Sequence, residues 1–129
     1  MTAEDYFLSL MLANEPLTDI VGDRVYPVQP PQAATHPYIV FFKGSFSSAS
    51  GSRSYAGLDS VVRMERSEIV IEVHAKGAAI CYQIRNILSD MLNYNGTITK
   101  HEDQQEEIPD QIGYFLGRQL YSIYQSRSA

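Results

Sequence analysis

The sequence predicts an α+β domain: a single antiparallel or mixed β-sheet with two amphipathic helices packed on one face. Three observations carry that expectation. Ile69, Ile71, Val73 and Ala75 alternate with Glu68, Val70, Glu72 and His74, the period of two that a strand requires. Ile80, Ile84, Ile87, Leu88 and Met91 recur at helical spacing just after them. The remaining strand candidates are joined by loops, which favours antiparallel neighbours and leaves one sheet face for both helices.

The elements follow in order. Thr2, Glu4 and Asp5 form a capping-box-like start. Phe7, Leu10 and Met11, widened by Leu8 and Leu12, then predict a helix over residues 3 to 14, stopped by Pro16. Residues 17 to 21 add one more turn, with Gly22 as a left-handed cap. Val25 and Tyr26 form a short strand. Pro27, Pro30, Pro31 and Pro37 lack backbone donors, so residues 27 to 37 should cross the sheet end as a stiff, extended connection. Residues 38 to 43 read as a strand that is apolar at almost every position and so covered on both faces.

Residues 44 to 60 are rich in Ser, Gly and Ala and predict a flexible loop. Long loops of this kind tend to be functional or to order on binding. The alternating strand spans residues 61 to 75, with one buried and one mostly wet face. Gly77 opens the second main helix, and Asn95-Gly96 ends it. The run holding Glu102, Asp103, Glu106 and Glu107 reads as a solvated acidic loop at about 99 to 112. Residues 113 to 125 close the chain as a strand.

The totals restrict the function. A chain of 129 residues is one domain's worth, with enough length for one core. The net charge of -5 disfavours a general nucleic-acid binder, since Lys and Arg on phosphates dominate that affinity. The single cysteine, Cys81, cannot form an internal disulfide, which fits a reducing compartment. The apolar N-terminal stretch carries Glu4 and Asp5 where a signal peptide needs positive charge.

Motifs for catalysis are weak. His36, His74 and His101 have no second histidine or cysteine at ligand spacing, so no metal and no cofactor is expected. Cys81 near a helix start reads as a small residue beside the apolar stripe. Glu68, Glu72 and Lys76 invite comparison with Mg²⁺-dependent nucleases, but that pattern wants a lysine where His74 stands. Gly44, Gly51 and Gly57 lack a phosphate-cradling arrangement. A small-molecule pocket on the aromatic sheet face is a further alternative.

The aromatic set points elsewhere. Nine tyrosines and no tryptophan favour side chains with an apolar body and a polar tip, which suit protein interfaces. The candidate assembly interface is Tyr26, Pro30, Pro31 and Tyr38 on the proline crossing and its flanking strands, with Phe46, Arg53 and Tyr55 in the Ser/Gly-rich loop.

The chain resembles the tail terminator, or tail completion, family of long-tailed bacteriophages. The resemblance runs nearly end to end. It rests on VGDRVYP at 21 to 27, PPQAATHPYIVF at 30 to 41, EIVIEVHAKG at 68 to 77, the following helix, and GRQLYSIYQ at 117 to 125. His74 departs from the family, whose strand often carries an aromatic there. The resemblance implies a non-enzymatic virion protein at the head–tail junction, assembled in the host cytoplasm. It implies a hexameric ring that caps the tail tube and ends its elongation. Partners would be further copies, the tube protein and a head-side connector or stopper, with DNA passing through unread. Another neck component, an adaptor or stopper, is the nearest alternative.

Overall fold

The computed structural model describes residues 2–44, 54–56, 62–93 and 96–128. The helices are α1 (Ala3–Ala13), α2 (Glu15–Val21) and α3 (Ala78–Asn93). The strands are β1 (Val25–Pro27), β2 (Tyr38–Gly44), β3 (Ser54–Ala56), β4 (Val62–Lys76), β5 (Ile98–Glu107) and β6 (Tyr114–Ser128). The α+β expectation holds, with three helices rather than two. The described strands form one mixed sheet in the order β1-β2-β4-β6-β5, and β3 also pairs with β4.

Local chemistry sets the first boundaries. Thr2 caps α1, its Oγ1 accepting from the Asp5 N–H at 3.1 Å. Asn14 then serves both neighbours: its N–H donates to Met11 O, and its Oδ1 accepts from the Leu17 N–H at 2.9 Å. Pro16 therefore does not simply stop a helix. It sits in the first turn of α2, where its missing donor costs nothing. Gly22 closes α2 at φ 61° and ψ -132°, a positive-φ conformation that favours glycine but not the left-handed helical cap expected.

The sheet centre is the β4–β6 ladder, paired antiparallel from Val62↔Ser128 to Lys76↔Tyr114. β2 runs antiparallel along the other edge of β4, from Tyr38↔His74 to Gly44↔Glu68, and β3 takes up that edge at Ser54↔Glu65. β1 pairs with β2 in parallel, Val25↔Ile39 to Pro27↔Phe41, so the sheet is the mixed one of the two forms expected. The reason is the proline crossing. It carries the chain back along the sheet before β2 begins, so β2 restarts in the direction of β1.

All three helices lie on one face. Phe7, Met11, Leu17, Val21, Cys81, Ile84, Leu88 and Leu92 share one core with Ile39, Phe41, Ile69, Ile71, Val73, Tyr121 and Ile123. The Phe7 ring meets Tyr121 edge-on, with centroids 6.1 Å apart. The apolar stripe of α3 holds at Ile84 and Leu88, with Ile87 and Met91 partly buried against the core, and departs from expectation at its ends, where Cys81 and Leu92 are buried. Cys81 is fully buried, while Ile80 is exposed. Gly117 explains the shift, because a Cβ there would stand 2.9 Å from Cys81 Sγ. A glycine on β6 lets α3 approach through its smallest core side chain.

Two expectations about charge and loops need correction. The acidic run is not a loop. Residues 98 to 107 form the edge strand β5, paired with β6 from Ile98↔Ile123 to Glu107↔Phe115, with a bulge between Lys100 and Glu102. Most of its side chains are exposed, so its composition mimics a loop. Asp103 is nonetheless held, ion-paired to Arg85 of α3 and to Lys100 at 3.0 Å. Of the predicted loop at 44 to 60, Gly44 belongs to β2 and residues 54–56 form β3. The rest lies outside the described residues.

Candidate functional site

One face of the sheet carries no described helix. Alternation along the strands places Tyr26, Tyr38, Val40, Phe42, Glu68, Val70, Glu72, His74, Leu116, Arg118, Leu120 and Ser122 there. Val40, Val70 and Leu120 are buried at its centre. The expectation that β2 is covered on both faces holds for Tyr38 and Val40. The expectation of a mostly wet second face on β4 does not hold at Glu68 or Val70, both buried.

At the end of this face nearest the proline crossing, rings form a continuous strip. Tyr26 and Tyr38 lie 6.0 Å apart, and Tyr38 stacks on His74 at 4.6 Å with 7° between planes. His36, on the crossing, packs 5.0 Å from Tyr38 and 5.0 Å from Tyr114. Lys76 Nζ lies 5.8 Å from the Tyr114 ring centroid. The strip thus draws residues from β1, the crossing, β2, β4 and β6. Arg24 braces its base, donating from Nε to Pro37 O at 2.9 Å, and the His36–Pro37 peptide is cis.

Charges interleave with the rings. His74 Nε2 lies 3.4 Å from Glu72 Oε1, and Arg118 donates to Glu72 Oε2 at 2.7 Å. The His74 contact, with Arg118, holds the Glu72 carboxyl below its usual range although burial opposes this. Burial, then the charges of His74 and Lys76, pushes His36 below 6.5. Burial raises Tyr38, assisted by Glu72. Further along the face, His101 Nε2 lies 2.7 Å from Ser122 Oγ.

Of the residues expected to form an interface, the structure brings Tyr26 and Tyr38 together in the strip. Pro30 is half-buried and Pro31 exposed on the crossing. Tyr55 lies in β3, and Phe46 and Arg53 lie outside the described residues. Sequence reasoning missed His36, His74 and Tyr114 as members. The available signal was position. His36 directly precedes Pro37-Tyr38, and His74 shares the parity of Glu72 and Val70 on the strand.

Among the described residues, no group of three His, Cys, Asp or Glu side chains converges as a metal site would require. Glu68 lies beside Arg66 at 3.6 Å, and Glu72 is engaged by His74 and Arg118. The Cys81 thiol is buried, which raises its pKa. No helix among the described residues is long and apolar enough to cross a membrane.

No family model matches this chain, and no curated protein matches it significantly. Among solved structures, its fold is similar to a chain in one described as "Virion of native gene transfer agent (GTA) particle". The TM-score is 0.66 at 14% identity, and the match covers 94% of this chain and 92% of that chain. At that identity the likeness is one of fold.

Proposed function

We propose that this chain is a structural component of a phage-like virion and, within it, a tail terminator at the head–tail junction. The observation that carries the reading is the shared fold with a virion chain over almost the full length of both molecules. The stretches at 21 to 27, 30 to 41 and 117 to 125, which carry the resemblance to tail terminators, support the finer role. In this reading the protein acts without catalysis. Copies close a hexameric ring on the last tube ring, end elongation, and present a surface to a head-side connector or stopper.

The geometry supports a contact role for the crossing side of the sheet. Ring side chains and half-buried charges sit there on rigid strands, and Pro31, Gln32 and Ala33 stand exposed beside them. A crossing stiffened by prolines loses little entropy when a partner docks. The net charge of -5 suits a ring through which DNA slides without being held.

Electron microscopy of particles made without this gene tests the role. Overlong tails are the expected result. Normal tails beside heads that leak DNA would assign a stopper instead. Light scattering of the purified chain tests the ring, with a six-fold mass expected on tube ends. The nuclease alternative predicts Mg²⁺-dependent cleavage lost in Glu72→Ala, and we expect none, because Glu72 is already spent on His74 and Arg118.

A further inference from the structure

We propose that His36 is a proton-operated latch that fastens the proline crossing to the sheet when neutral and releases it when charged. The inference does not depend on the proposed function, since it concerns the isolated chain.

The crossing between β1 and β2 is tied to the sheet near its start, where the Val28 N–H donates to Phe41 O at 2.9 Å. Its middle is exposed at Pro31, Gln32, Ala33 and Thr35. At its far end His36 packs on the sheet, with its ring 5.0 Å from both Tyr38 of β2 and Tyr114 of β6. Tyr114 is far from His36 in sequence, so this packing ties the crossing across the sheet and not merely to its own strand.

Charged and titratable groups approach the ring from several elements, and Arg24 lies at its base on Pro37 O. The crossing itself contributes none. β1 offers Tyr26, beyond Tyr38. β4 offers His74 and Lys76, with Glu72 beyond His74. β6 offers Tyr114 and, tied to Glu72, Arg118. With both imidazoles neutral, Lys76 and Arg118 against Glu72 leave one net positive charge. Protonating His36 makes it two. The tyrosine rings would favour a cation at such a site. Lys76 already takes that interaction at Tyr114. Burial and the like charges of His74 and Lys76 outweigh it at His36.

The direction follows from linkage. Docked, His36 titrates below 6.5; released into solvent, it titrates near 6.5. The released state therefore binds more protons, and docking weakens as pH falls from 6.5 through the docked pKa. Above 6.5 the latch is fully closed. Acid thus frees the crossing.

Hydrogen exchange and NMR on the full chain read this directly. The Ile39 N–H bonds to Arg24 O at 3.0 Å at the latched end, and its exchange reports opening. Between 6.5 and the docked pKa, its opening constant should rise by up to about tenfold per pH unit. Amides in the middle of β4 should not change. His36→Phe should keep the packing and remove the pH dependence. Lys76→Met, at an exposed position, should raise the His36 midpoint without unfolding the chain. A flat wild-type profile, an equal slope in His36→Phe, or a His36 midpoint at or above 6.5 would each overturn the proposal.

Discussion

Replacing Gly117 by alanine should cost far more than a methyl group on a strand normally does. A Cβ at this position would lie 2.7 Å from Arg85 Cδ, 2.9 Å from Cys81 Sγ and 3.2 Å from Arg85 Cγ. Neither neighbour can yield freely. Cys81 is fully buried against β4, with Sγ 4.0 Å from Val73 O. The Arg85 stem is pinned by its head, which donates to Gln105 Oε1 at 3.0 Å and pairs with Asp103. The helix must therefore lift or the Arg85 pairs must break. Overpacking of this kind costs about 1–3 kcal/mol. Losing the glycine's unfolded-state freedom returns only about 0.4–1 kcal/mol. A net loss of about 1–2 kcal/mol corresponds to about 3–10 °C in Tm for a chain of this size. Thermal unfolding of Gly117→Ala, Arg85→Ala and the double variant measures it. The second alanine removes the two Arg85 atoms that clash and leaves Cys81 Sγ, so the Gly117 penalty should shrink but not vanish in that background. An unchanged or raised Tm in Gly117→Ala, or strict additivity of the two changes, would refute the reasoning.

Three further outcomes are expected. Tyr121→Phe should lower stability by about 1–2 kcal/mol in chemical denaturation, because Tyr121 donates to buried Gln119 Oε1 at 2.9 Å and the amide oxygen would lose its partner. Asp103→Asn should flatten the acid limb of the stability curve. Burial opposes the Asp103 charge, but hydrogen bonds from Arg85 and Lys100 outweigh it and hold the carboxyl below 3.8. Its contribution is thus present above about pH 4 and lost as pH falls through the lower folded value, so wild type and variant should converge there. Pro30→Ser with Pro31→Ser should weaken ring assembly, read by light scattering with tube ends, while the circular dichroism melt of the free chain stays within a few degrees. Undiminished assembly would remove the crossing from the contact.

Most elements were legible because each turns one periodic set toward the same core. α1, α2, β4 and β6 do so, and periodicity reports that directly, although β4 and β6 also bury Val70 and Leu120 on the opposite face. β5 was not legible, since only Ile98 is buried and its hold on the sheet is backbone pairing and one charge pair to a helix distant in sequence. The first position of the α3 stripe was misplaced, at Ile80 instead of Cys81, because the close approach there depends on Gly117, distant in sequence on another strand. The parallel start of the sheet was hidden in the path of the crossing, which no composition encodes. At the candidate site, the tyrosines and prolines announced themselves by type. The histidines did not, because their role comes from what the fold stacks beside them.

The edge strand β5 has a consequence for how copies of this chain behave at high concentration. A ten-residue open strand is a template on which sheets extend without limit and proteins precipitate as fibres. Here that template bears Glu102, Asp103, Glu106 and Glu107 and is bent by a bulge after Lys100. Like charges would face each other in any self-pairing, and the bend breaks a flat register. The opposite margin, β1, offers only three residues and ends at Pro27. These features of β1 and β5 oppose runaway self-pairing of the sheet along those strands.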